Sequence, residues 1–373
     1  MNPSPCECGN SQSNFHPNLE FSICLACKVK AEKDLEHFRI WGQEKLSTLI
    51  KKSQTVPGRS YDVLLPIRGD GEDYFTLRYL LEQDLSVLVL FVNNYFYNDI
   101  GWHNIHNLIT EFDVDSITFN PRFETYRDLV ADSLNRSGDI YLPYKSLHFL
   151  YAHRIAFERK IPLIIWGQCQ PLEYDGKFSP YDTLKFSRWW FHQHEHNSGI
   201  LGLDLVESPA SLIDREIYRY PVNVNPHWFV GGYFLSNFMI WDQFKNTNEA
   251  FNYGLVSDYH PNSCNPAENC GSDVYYDMHA ALRRLKNIQP KSNVQQSQAH
   301  RFGHEILHET YESYNLKPFF TKFLGSTESG YDWFVDRHLP ELKSKLISGR
   351  REPNIGSFQK NPSSHFLKYY KGI

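Results

Sequence analysis

Four of the seven cysteines fall within the first 27 residues, as Cys6-x-Cys8 and, after fifteen intervening residues, Cys24-x-x-Cys27. Four thiolates close a tetrahedral zinc site, and two ligand pairs on separate turns clamp a segment too short to bury its own core. The spacing predicts a structural zinc held by Cys6, Cys8, Cys24 and Cys27, with His16 as an alternative fourth ligand because the first pair is tighter than C-x-x-C. A closed four-ligand site leaves no position for substrate, so no catalysis is assigned to it. Two further clusters carry imidazoles. His192, His194 and His196 alternate around Glu195, which on a strand would put three imidazoles on one face. His304-Glu305-Ile-Leu-His308 satisfies H-E-x-x-H, in which two imidazoles four apart bind zinc and the glutamate activates a bound water. That short pattern ranks below a plain helix start, and the alternating set below a polar loop.

The elements that must position such groups alternate between strand and helix. Tyr61–Ile67 is a short apolar run that ends in Arg68-Gly-Asp-Gly-Glu-Asp73, and the apolar spacing from Tyr74 to Glu82 predicts a helix. Strand, glycine turn and helix together form the arrangement in which backbone N–H groups hold phosphate. Further strands are predicted at Leu85–Val92, which ends in Asn93-Asn94, and at Ser116–Phe119 and Ile161–Trp166. Helical stretches at 102–112, 126–134 and 147–159 separate them, and a connecting helix lies within 28–53. Alternation of this kind predicts an α/β fold with a parallel sheet whose ligands sit at the carboxyl ends of the strands. Three parts are expected: residues 1–54 as zinc ribbon and connecting helix, 55–205 as a nucleotide domain, and 206–373 as a mainly helical region.

Composition narrows the class. The 373 residues are 41% hydrophobic with a net charge of −5, which excludes a disordered chain and argues against an extended nucleic-acid surface, since phosphate affinity needs clustered Lys and Arg. The longest apolar run, Val87–Val92, is far short of the roughly 20 residues of a membrane span, and the N-terminus has no charged-then-apolar signal pattern. A cytoplasmic protein with neither nucleic-acid partner nor membrane span is expected. Cys169, Cys264 and Cys270 are scattered and read as buried or loop thiols. Asp242 and Lys245 share a helical face, and sugar contact or a solvated helix start accounts for them equally well.

The ordered set YDVLLPIRGDGED, FVNN, GWHNIHNLITEFDVD, IPLIIWGQCQPLEYDG, FMIWDQFKNTNEAFNYG and RFGHEILHETYESYN, behind a Cys-rich start, resembles the N-acetyl sugar amidotransferase family. That family is a branch of the PP-loop ATP pyrophosphatases in surface-polysaccharide and flagellar-sugar biosynthesis. The resemblance implies a PP-loop core and an ATP-dependent amidotransferase acting on a nucleotide-linked uronic-acid sugar. It also implies ammonia delivered by a partner glutaminase and channel protein. Under it, Glu72, Asp73 and Gln168 become catalytic candidates, and Arg68, Gly69, Asp70, Gly71, Asn93 and Asn94 become cofactor-binding candidates for ATP and Mg²⁺.

The loop departs from the superfamily motif Ser-Gly-Gly-x-Asp-Ser. An ungapped match sets Arg68 to Asp73 on those six positions and leaves only Gly69 unchanged. Both hydroxyls are lost, and three carboxylates stand where an anion would arrive, so they compete for the same N–H groups. Two compensations are open: Arg68 as a new phosphate contact, and Asp70, Glu72 or Asp73 as Mg²⁺ ligands. Gln168 likewise stands where the resemblance leads to Glu. The alternative is an inactive PP-loop homologue that binds a sugar nucleotide or scaffolds a paralogue. A tRNA-thiolating branch would need catalytic cysteines near the sheet and a basic surface, which the sequence does not offer.

Overall fold

The computed structural model describes residues 25–97, 99–137, 140, 142–173, 178–181, 185–187, 217–221, 227–256 and 327–338. Five strands form one sheet: β1 (Val63–Ile67), β2 (Val87–Val92), β3 (Ser116–Phe119), β4 (Leu163–Trp166) and β5 (Gly231–Phe234). Their order is β3-β2-β1-β4-β5, and every neighbouring pair is parallel. The α/β parallel sheet expected from the sequence is therefore present. β1, β2 and β4 are buried along their whole length, as continuous apolar runs covered on both faces by helices must be, whereas the edge strand β3 is half exposed.

Helices α1 (Leu25–Lys33) and α2 (Glu36–Gln54) replace the single connecting helix, the break falling at Asp34 and Leu35. Both rest on the segment after β5. The Lys33 ammonium donates to Asn237 Oδ1 at 2.7 Å, and Gly42 lets α2 approach so closely that a Cβ there would lie 2.7 Å from the Phe238 carbonyl oxygen. Helix α3 (Gly71–Glu82) follows β1, α4 (Asp99–Glu111) follows β2 and α5 (Phe123–Ser137) follows β3. The connection to β4 runs through α6 (Leu142–Ser146), a π-helical turn at Leu147–Tyr151 and α7 (Ala152–Glu158). A short α8 (Gln170–Glu173) leaves β4, and α9 (Gln243–Ala250) and α10 (Glu328–His338) come later.

β5 was not legible as a strand because two of its four residues are glycine. Gly232 is required by close approach, since a Cβ there would sit 2.6 Å from the Trp166 ring. The boundary expected near residue 205 lies outside the described residues, and β5 from beyond it completes the sheet. Among the described residues, no helix is long and apolar enough to cross a membrane.

Reversal of strand order between β1 and β4 creates a topological switch point, where open parallel sheets bind ligands outside the carboxyl ends of their strands. The strands part there for a local reason. The β1–β2 ladder runs to Ile67↔Phe91, but the β1–β4 ladder stops at Leu64↔Ile164. Pro66, with no N–H to donate, stands where that ladder would continue.

Candidate functional site

Three segments meet at the switch point: the loop after β1, the turn after β4, and the π-helical turn before α7. Gly69 adopts φ +85°, a left-handed conformation open to glycine, and this turns successive backbone N–H groups toward one point. An internal carboxylate occupies that point. Asp73 Oδ2 accepts from the N–H of Arg68 at 2.6 Å, of Gly69 at 2.8 Å and of Asp70 at 3.4 Å. In return Asp70 Oδ1 accepts from the Asp73 N–H at 3.2 Å, closing a reciprocal cap on α3.

The loop's remaining charges also face one another. Arg68 Nη2 lies 3.0 Å from Asp70 Oδ2 and 3.7 Å from Glu72 Oε2, with all three side chains largely buried. Glu72 Oε1 accepts from the Trp241 indole N–H at 2.6 Å, which ties α3 to the segment leading into α9. Asp73 is wholly buried, and that burial together with the nearby Asp70 holds its carboxyl well above the usual carboxylate range. Arg68 and the backbone donors oppose the shift without cancelling it.

The cofactor candidates Arg68, Gly69, Asp70 and Gly71 and the catalytic candidates Glu72 and Asp73 are thus brought into one loop, but as a closed set. The N–H nest does not fit a pyrophosphate while Asp73 fills it. Gly71 at the start of α3 is covered as well, because a Cβ there would lie 2.6 Å from Thr247 Cα in α9. Nor do the carboxylates converge as cation ligands: among the described residues, no group of three or more His, Cys, Asp or Glu is arranged to hold a metal ion.

Asn93 and Asn94 lie next to this loop, at the carboxyl end of β2, and build its turn. Asn93 Oδ1 accepts from the Tyr95 N–H and its amide donates to Asn120, while Asn94 Oδ1 accepts from the Phe96 N–H. The Asn94 amide nitrogen is buried and has no hydrogen-bond partner among the described residues.

Gln168 follows β4 and is 2% exposed. Ser236 beside β5 fixes its backbone, the hydroxyl donating to the Gln168 carbonyl and accepting from the Gln170 N–H, both at 2.8 Å. The side chain reaches His148, with Gln168 Nε2 3.4 Å from His148 Nε2. His148 was not singled out in the sequence, where it sits inside an apolar helical pattern. Its signal is the π-helical turn, which carries no sequence signature and recurs at functional sites. Burial pushes the His148 imidazole down to about 3, Arg68 adding to the effect, so the ring is neutral.

The other sequence candidates stand apart. Asp242 caps α9 by accepting from the Lys245 N–H at 3.0 Å, the helix-start role. Cys27 is half-buried in α1, whereas Cys6, Cys8, Cys24 and His16 lie outside the described residues. The same holds for the clusters 192–196 and 304–308 and for Cys264 and Cys270.

No family model matches the chain. No curated protein matches it in sequence. Among solved structures it is similar to NMN synthetase from Francisella tularensis, at 11% identity and a TM-score of 0.36, over 73% of this chain and 95% of that one.

Proposed function

We propose that the chain is a PP-loop-type α/β protein that binds a nucleotide-linked sugar at the switch point between β1 and β4 without performing ATP pyrophosphate chemistry. One observation carries the reading: Asp73 Oδ2 takes the backbone N–H groups of Arg68, Gly69 and Asp70 that a pyrophosphate would need. An incoming phosphate would have to displace a carboxylate that also caps α3, and would arrive beside Asp70 and Glu72. The ligand class rests on the ordered motifs that resemble N-acetyl sugar amidotransferases. Under this reading Arg68, Asp70, Glu72 and Asp73 are structural groups of the loop, and Gln168 and His148 face the ligand.

Isothermal titration of the full chain with ATP and a non-hydrolysable analogue, with and without Mg²⁺, tests the proposal. The wild-type protein should give no saturable heat up to millimolar nucleotide, and the Arg68→Ser, Asp73→Ser double variant should gain binding. Mg²⁺-dependent binding by the wild-type chain would overturn it. The ATP-dependent amidotransferase, supplied with ammonia by a partner glutaminase, would then be the correct reading.

A further inference from the structure

The turn leaving β4 holds more buried, unanswered hydrogen-bonding capacity than a packed core tolerates, since each buried polar group without a partner costs stability. Among the described residues, His148 Nδ1 and Gln168 Oε1 have no hydrogen-bond partner, and neither does either amide atom of Gln170. These side chains are no more than 2% exposed. Asp73 Oδ1 is also without a partner among the described residues, and it faces the same turn, lying 3.3 Å from where a Cβ on Gly167 would be.

The polarity of these atoms follows from their contacts. Gln168 Nε2 donates to His148 Nε2, so that nitrogen carries the lone pair and the proton of the neutral ring sits on Nδ1. His148 Nδ1 is then an unanswered donor, and Gln168 Oε1 an unanswered acceptor. Among the described residues, the cations whose charge reaches His148 are Arg68 and Lys145. The Arg68 guanidinium is held by Asp70 and Glu72, and two carboxylates beside it would repel phosphate.

We propose that the turn Gly167–Gln170 with His148 is a recognition site for an uncharged group that carries both a hydrogen-bond donor and an acceptor, a sugar hydroxyl or a carboxamide. The inference deepens the reading above, because it identifies which part of a sugar-bearing ligand the switch point would grip. The site selects by desolvation: an uncharged hydroxyl or amide loses less on leaving water than a phosphate does and regains hydrogen bonds from donors and acceptors left open among the described residues, whereas a phosphate loses its hydration and meets carboxylates.

The test is nitrogen-15 NMR of the His148 imidazole in the full chain, titrated separately with glucose, N-acetylglucosamine, benzamide and inorganic phosphate. At least one uncharged probe should shift the Nδ1 signal saturably while equal phosphate leaves it in place. A response to glucose assigns the site to hydroxyls, and a response to benzamide but not glucose assigns it to carboxamides. In Gln168→Leu and His148→Phe, affinity measured by titration calorimetry should fall at least about tenfold, as expected for loss of a buried hydrogen bond. Should either variant fail to fold by thermal melting, the wild-type NMR titration decides alone. No shift with any uncharged probe, a larger shift with phosphate, or unchanged affinity in folded variants would overturn the proposal. These probes carry no nucleotide, so the result stands apart from whether the chain binds ATP.

Discussion

Asp73 serves its loop as an internal hydrogen-bond acceptor, and the consequence can be measured in its variants. Asp73→Ala would leave the buried N–H groups of Arg68 and Gly69 and the half-buried one of Asp70 without this acceptor, a loss of about 2 kcal/mol or more at roughly 1–3 kcal/mol per unsatisfied buried group. The emptied nest is then an anion site of the ordinary helix-start kind. Added sulfate should therefore recover part of the lost stability in Asp73→Ala and do much less for the wild-type chain. Urea unfolding with and without sulfate, corrected for its general salting effect by the wild-type curve, reads this difference. Equal sulfate responses would mean that the backbone groups do not form a nest once the carboxylate is gone. The conflict between loop and anion was legible in Arg68-Gly-Asp-Gly-Glu-Asp73, because three carboxylates at a helix start compete with phosphate whatever the fold around them. What could not be read was which oxygen would fill the nest, since that depends on the left-handed turn at Gly69. His148 was hidden for a different reason. A π-helical turn shifts side chains by one position relative to the helical period, so a buried polar residue within it looks like an ordinary interruption of an apolar stripe.

Among the elements, α9 is the one that closes the loop from outside. It meets α3 through the Arg78–Glu249 ion pair at 2.9 Å and the contact of Gly71 with Thr247, and the segment before it adds the Trp241–Glu72 hydrogen bond. In the Gly71 contact Thr247 Cα, at 2.6 Å, is the nearest atom to the position of an added Cβ, with Oγ1 and Cβ at 2.7 and 2.8 Å. Gly71→Ala should destabilise the chain by about 1–3 kcal/mol through overpacking, and Thr247→Ala should not rescue it, because shortening the threonine leaves its Cα and Cβ in place. Thermal or urea melts of the single and double variants check this, and full rescue would show that the side chain, not the helix backbone, sets the distance. Strands β1, β2 and β4 were legible because buried parallel strands are continuous apolar runs bounded by turns. β5 and the hold of α9 on α3 were not, because glycines chosen for close approach carry no periodic signal until the partner, Trp166 or Thr247, is known.

At the scale of the whole molecule, the core on one side of the sheet encloses a second neutral imidazole, and this makes stability depend on pH with a definite sign. His153 Nδ1 donates to the Phe149 carbonyl at 2.8 Å, while Trp166, Phe229 and Tyr220 surround the ring. Burial pushes its pKa down to about 4, against the opposing pull of the Phe149 and Phe186 carbonyls. Both His153 and His148 are lowered on folding from an ordinary value of 6.5. Between 6.5 and about 4 the unfolded chain takes up protons that the folded chain refuses, so each imidazole makes stability fall as pH falls, by at most about 1.4 kcal/mol per pH unit. Asp73 acts in the opposite sense, because its raised pKa lets the folded chain hold a proton that the unfolded chain has released above 3.8. With two imidazoles against one carboxyl, the net contribution of these three groups is a loss of stability on acidification below 6.5. His153→Leu isolates one member that makes no hydrogen bond to the loop after β1. It should destabilise the chain at neutral pH by removing the bond to Phe149, yet flatten the slope of unfolding free energy against pH between 6.5 and 4 by roughly one proton's worth. Parallel slopes for variant and wild type would show that His153 takes up its proton in the folded state as readily as in the unfolded one.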